Sequence, residues 1–130
     1  ALEELAGKLA TKRLDGDVTV LEREVEAMRA AARADDLSAL VQHDIAFHRE
    51  MVEAAGNPVL EQCWKSLGVE GRITISLYGT YVAPLDAAEK HVPILDAIRA
   101  GKPGAAGREA RKHVEEFGRI ARRRAKAAGR

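Results

Sequence analysis

The chain has 130 residues, 46% apolar, 32% charged and 4% aromatic, enough for one globular domain with a packed core and far from the composition of a disordered or fibrous chain. Ala, Leu, Glu, Lys and Arg dominate, and because straight-chain residues lose little rotamer freedom in a helix, the composition excludes an all-β fold. The net charge is +1, so the domain as a whole has no strong electrostatic claim on DNA or a membrane, although residues 108–130 carry nine basic against three acidic side chains.

Breaks at Leu14-Asp15-Gly16-Asp17, Ala34-Asp35-Asp36, Gly56-Asn57-Pro58, Val82-Ala83-Pro84 and Gly101-Lys102-Pro103-Gly104 divide the chain into six segments with periodic apolar residues. Short connections make neighbouring helices antiparallel, so the expected architecture is all-α, a single antiparallel bundle of about six helices over residues 1–130. In the first segment Leu2, Leu5 and Leu9 form the expected buried stripe, and in the second Leu21, Val25, Met28 and Ala32 do so. Asp36 is placed to cap the third segment and Asn57 the fourth, with Pro58 at the first helical position, where its missing N–H costs nothing. The fourth segment contains Gly68, Gly71, Gly79 and the β-branched Val69, Ile73, Thr74 and Ile75 in a stretch ending at Tyr81. A lone strand would have no partner for its backbone groups, so the stretch is expected to be helical.

The third segment carries the most information. Its apolar stripe runs Leu37, Val41, then positions 44 and 48, then Met51, Val52 and Ala55, and those two positions hold Asp44 and His48. At 100° per residue they lie about 40° apart, one turn from each other, on the core side. The sixth segment repeats the pattern, with His113 in a stripe of Ala106, Ala110, Phe117 and Ile120. In the fifth, His91 falls on the edge of the stripe of Leu85, Ala88, Val92, Leu95 and Ile98.

One histidine in an apolar stripe is ordinarily a core residue with a single satisfied partner. Three together with an aspartate are harder to bury, because each unsatisfied polar group costs about 1–3 kcal/mol, whereas one divalent cation satisfies all four. Three nitrogens and one oxygen suit Zn²⁺, Ni²⁺, Cu²⁺ or Fe²⁺ and disfavour Ca²⁺ and Mg²⁺. The remaining histidine, His43, is about 140° from His48 on the helical wheel and reads as a surface or interface residue.

Other motifs are weak. Cys63 has no partner for an internal disulfide and reads as a small core hydrophobe beside Trp64. Ser38, Ser66 and Ser76 lack a nucleophile-elbow context, and Gly101 and Gly104 follow no strand that would make them a phosphate loop. The Arg122-Arg123-Arg124 run reads as a solvated helix end complementing its own dipole. No apolar run approaches the ~20 residues of a membrane helix, and with a single cysteine and no signal-peptide pattern the expected location is cytoplasmic, without membrane contact.

Four stretches together resemble a known family: Asp44-Ile-Ala-Phe-His48-Arg, Glu53-Ala-Ala-Gly-Asn57-Pro-Val-Leu60, Glu89-Lys-His91-Val-Pro-Ile-Leu-Asp-Ala-Ile98 and Ala110-Arg-Lys-His113. They are similar to the C-terminal ligand-binding (FCD) domain of the FadR-like branch of GntR-type bacterial transcription regulators, and the likeness covers nearly the whole chain. The resemblance implies an all-helical bundle that forms a homodimer and senses a small metabolite, commonly a carboxylate. It implies a divalent metal, zinc or nickel, held by Asp44, His48, His91 and His113, with positions open to the effector. It also implies an N-terminal winged-helix DNA-binding domain that this chain does not contain, so that DNA contact belongs to the intact regulator.

The glycine-rich fourth segment departs from the longer Arg/Leu-rich helix usual in that family. Arg72 within it is the candidate for pairing with an effector carboxylate, since guanidinium geometry is bidentate; its face, shared with Lys65, Gly68 and Ser76, equally suits a solvated Arg. Three readings follow: a metal-dependent effector-sensing domain first, then a metal-dependent hydrolase, then a purely structural dimerisation module. Against the hydrolase, Glu50 and Glu53, one turn from the ligands, are placed on the outer side of their helix.

Overall fold

The computed structural model describes the backbone of residues 1–79 and 82–129, and the side chains there apart from those at 75, 76, 78, 79, 121, 124, 125 and 128. Among the described residues it is all-α, with eight helices: α1 (Leu2–Leu14), α2 (Thr19–Arg33), α3 (Leu37–Ala54), α4 (Pro58–Ser66), α5 (Val69–Gly79), α6 (Pro84–Glu89), α7 (Val92–Arg99) and α8 (Pro103–Ala128). The side chains of Ser76 and Arg124, and Tyr81 as a whole, lie outside the described residues.

The six expected segments are present, and two of them are broken. The fourth divides at Gly68, whose φ of +63° is the left-handed conformation that ends α4 and lets the chain restart as α5. The fifth divides at Lys90-His91, because Pro93 has no N–H to give the carbonyl one turn back, so α6 cannot run on into α7. The caps form as expected: the Asp36 carboxylate accepts from Ala39 N–H at 3.0 Å, and the Asn57 side chain accepts from Val59 and Leu60 N–H at 3.1 and 3.2 Å.

Trp64, Phe47, Met28, Leu40, Met51 and Ile94 are the largest fully buried side chains, and they bring α2, α3, α4 and α7 onto one core. The first segment turns a different face inward from the one expected. Leu5 is exposed and Leu2 and Leu9 are only half-buried, while α1 buries Glu3, Ala6, Gly7, Ala10 and Thr11. Backbone proximity explains the choice. A Cβ on Gly7 would sit 3.0 Å from the Ala106 carbonyl oxygen, and one on Gly107 would sit 3.0 Å from the Glu4 carbonyl oxygen. Helices α1 and α8 therefore meet through their smallest residues, at a separation the leucine stripe could not reach. Cys63, expected in the core, is exposed; Trp64 takes the inward position and leaves its neighbour on the outer face of α4.

Candidate metal and effector site

Asp44 and His48, one turn apart on α3, point into the bundle beside His91, at the α6–α7 junction, and His113, on α8. All four are buried, at 3%, 3%, 0% and 7% exposure, and one ligand-capable atom from each lies within 4.8 Å of every other. Asp44 Oδ1 is the hub: His48 Nε2 is 3.1 Å away and His91 Nε2 2.9 Å away. The His113 ring is centred 4.4 Å from that of His91 and 5.2 Å from that of His48. Phe47 and Phe117 pack against the imidazoles from the outside.

The far side of each ring determines what the near side can do. His91 Nδ1 donates to the Ala87 carbonyl at 2.9 Å, and His48 Nδ1 donates to Glu3 Oε2 at 3.1 Å. With the outer nitrogens committed as donors, the neutral tautomer of each ring turns the lone pair of Nε2 towards the shared space. An outer acceptor that fixes the tautomer and aims the ring is the arrangement found behind metal-ligating histidines. Three imidazole nitrogens and a carboxylate oxygen, closely grouped and buried, form a donor set that suits a divalent transition ion.

Glu3 is a partner of the cluster that the sequence pattern did not single out. It is 7% exposed in the first turn of α1; Oε2 accepts from His48 and Oε1 accepts from Trp64 Nε1–H at 3.1 Å. Its only sequence signal was a carboxylate on the Ala6–Gly7–Ala10 face, which a leucine-led reading of the helix passes over.

Electrostatics follow from burial opposed by pairing. Burial works against the Glu3 carboxylate, but the His48 charge and hydrogen bond outweigh it and hold Glu3 below the ordinary range. Burial likewise works against the Asp44 carboxylate, and His91 and His48 prevail, holding it far below the usual carboxylate value. For His48 burial favours the neutral ring, yet Glu3 and Asp44 on either side raise its pKa to about 10. His113 is pushed well below the usual imidazole value by burial first, then by His91 and His48. The cluster thus contains a strongly held carboxylate, a neutral imidazole, and a charged imidazole whose proton an incoming cation would replace.

The cluster opens into a cavity of about 510 Å³. Asp44, His48 and His113 lie at its floor, and Leu67, Val69, Ile73, Leu77, Val114 and Phe117 supply apolar wall. Arg72, exposed on α5, lines the same cavity, as do Arg111 and Glu115. His43 does not join the cluster; half-buried on α3, it pairs through Nδ1 with Glu24 at 2.8 Å. Glu53 is exposed, and Glu50 leans towards Glu24 on the opposite side of α3 from the cavity, so neither reaches the cluster.

A helical bundle with a buried Asp/His cluster beside a cavity of this size has the features of a small-molecule site. The chain belongs to the FCD domain family, whose model matches residues 1–116. It is 33% identical over 117 residues to a probable D-xylose utilization operon transcriptional repressor of Paenarthrobacter nicotinovorans, a match covering 90% of this chain and 52% of that protein. It is 30% identical over 83 residues to the HTH-type transcriptional repressor NanR of Citrobacter rodentium (strain ICC168), covering 62% of this chain and 32% of that protein. The chain therefore spans about half the length of the first of these curated relatives and a third of the second. Both relatives are transcriptional repressors, which favours a regulatory role over an enzymatic one. No described helix is long and apolar enough to cross a membrane.

Proposed function

We propose that this chain is the effector-sensing domain of a transcriptional regulator. Asp44, His48, His91 and His113 hold a divalent transition metal, zinc or nickel, and a small carboxylate metabolite binds above them in the cavity. The observation that carries the reading is the grouping of the four buried donors at the floor of that cavity, with the outer nitrogens of His48 and His91 already engaged by Glu3 and Ala87. A bound cation would supply a doubly positive anchor for a carboxylate at the floor. Arg72, on the wall, is the second contact, its guanidinium matching the carboxylate's two oxygens. The domain works as a homodimer in the cytoplasm, and effector binding shifts it between arrangements that a separate N-terminal DNA-binding domain reads.

The hydrolase reading has less support, because Glu3, the carboxylate in contact with His48 from outside the set, has both oxygens engaged and is not free to accept a proton from water. Metal analysis of protein purified without an immobilised-metal column tests the proposal. The expected result is close to one equivalent of bound metal, or uptake of Zn²⁺ or Ni²⁺ with a rise in Tm. Less than about a tenth of an equivalent, with no thermal shift on adding either ion, overturns it and leaves a structural dimerisation module.

A further inference from the structure

We infer that the effector of this domain is a monocarboxylate with an apolar body, not a polyhydroxylated sugar acid; the inference rests on the proposed metal-anchored carboxylate and concerns the part of the ligand that projects away from it. Two observations carry it.

The first is the wall. Above the cluster, Leu2, Leu67, Val69, Ile73, Val114 and Phe117 line the cavity from α1, the α4–α5 junction, α5 and α8. Leu67 and Val114 are 51% and 46% exposed, large apolar side chains left facing the opening instead of the core. A ligand body of methylene or aromatic carbon would cover them, and each fully buried methylene multiplies affinity about fourfold.

The second is the state of the polar groups. Hydroxyls on a ligand need free partners, and several polar groups among the described lining residues are already engaged. Glu3 accepts from His48 with one oxygen and from Trp64 with the other, and the single Trp64 N–H is consumed in that bond. Arg111 is tied to Glu4 at 3.4 Å and to Glu115 at 3.8 Å. Arg72, exposed on the wall, is suited to the carboxylate. Each hydroxyl carried into the cavity without a partner costs its hydration, about a tenfold loss in affinity. Wall and polar groups therefore select in the same direction.

Hexanoate and gluconate make the test sharp, since both are six-carbon monocarboxylates and differ only in hydroxylation. Titration calorimetry on the Zn²⁺-loaded chain is expected to give hexanoate at least tenfold tighter than gluconate, with affinity rising from propanoate through butanoate to hexanoate. Ile73→Gln and Val114→Gln, at half-buried and exposed wall positions, are expected to weaken hexanoate severalfold while leaving metal content unchanged. Gluconate binding as tightly as hexanoate, or better, overturns the inference while the metal-anchored carboxylate reading stands. Hexanoate binding that ignores both wall substitutions also overturns it. If neither acid binds the metal-loaded chain, the carboxylate reading itself fails, and the inference fails with it.

Discussion

Replacing Glu3 by Gln tests how His48 is aimed, because it retains the shape of a buried side chain while removing its charge and one of its two acceptor oxygens. In the parent, Glu3 accepts two buried hydrogen bonds, from His48 Nδ1 and Trp64 Nε1, both at 3.1 Å. An amide has one acceptor and one donor end. Trp64 can only donate, so the amide oxygen turns to it, and the amide NH₂ faces His48 Nδ1. That nitrogen must then accept, so the ring gives up its Nδ1 proton and keeps the one on Nε2, which donates to Asp44 Oδ1. The exchange also removes the buried ion pair of Glu3 with His48, so the metal-free protein should lose about 1–3 kcal/mol of unfolding free energy at pH 8. Metal binding is weakened as well, since the lone pair it needs is now held by the only proton left on the ring. Restoring it leaves one buried hydrogen bond unmade, about 1–3 kcal/mol, which agrees with the 10–100-fold weakening typical of lost outer-sphere partners.

Competition with a zinc-chelating indicator at pH 8 measures the loss, and urea titration of the metal-free protein measures stability. Proton release adds an independent readout. The His48 pKa is raised to about 10, so its ion pairs stabilise the metal-free fold fully below the unfolded-state value of 6.5, and that contribution is lost as pH rises through about 10. At pH 8 an incoming ion therefore displaces close to one proton from wild-type His48. Calorimetry in two buffers of different ionisation enthalpy should detect that proton, and the Gln variant should release less. Wild-type-like zinc affinity in Glu3→Gln, within about threefold, would refute the assignment of Glu3 as the residue that aims His48.

Asp44→Asn and His113→Ala remove ligands outright and should each weaken Zn²⁺ by more than the hundredfold reserved for outer partners, read by the same indicator. Glu50 has an unpartnered buried Oε2, and partial burial together with the nearby Glu24 pushes its carboxyl up to about 7. Its charge therefore costs stability above the unfolded value near 4.5 and costs most above about 7, so Glu50→Gln should stabilise at pH 8, by less than about 1 kcal/mol for so solvated a group, and not at pH 4; urea midpoints at both pH values decide it. Gly7→Leu drives a side chain into the Ala106 carbonyl and should destabilise by about 1–3 kcal/mol, whereas an unchanged urea midpoint would mean that α1 and α8 do not meet as described.

The four clustered residues were legible because Asp44, His48 and His113 break apolar stripes at helical intervals and His91 sits at the edge of a third stripe. The all-α class was legible from composition, and the caps at Asp36 and Asn57 from local chemistry that does not depend on the rest of the fold. What was not legible depends on how close two helices come. Leucines at positions 2, 5 and 9 satisfy the periodicity of a buried face, but periodicity carries no information about separation, and α1 packs by its smallest residues instead. The breaks at Gly68 and Pro93 had visible causes in the sequence, and the even apolar spacing across them favoured continuous helices. Cys63 and Trp64 are adjacent and only one could face inward; the larger apolar surface took the place.

The small-residue face of α1 connects the fold to the site. Ala6, Gly7 and Ala10 let α1 lie against Ala106 and Gly107 of α8, and only that approach carries the first turn of α1 deep enough for Glu3 to reach both His48 and Trp64. A buried carboxylate at position 3 would otherwise be a liability, since burial alone opposes its charge; two hydrogen bonds and a charged imidazole reverse the balance. The alanine and glycine content that marks the chain as helical thus has a second consequence. It sets the helix spacing at which an N-terminal carboxylate can hold the tautomer of a histidine forty-five positions later.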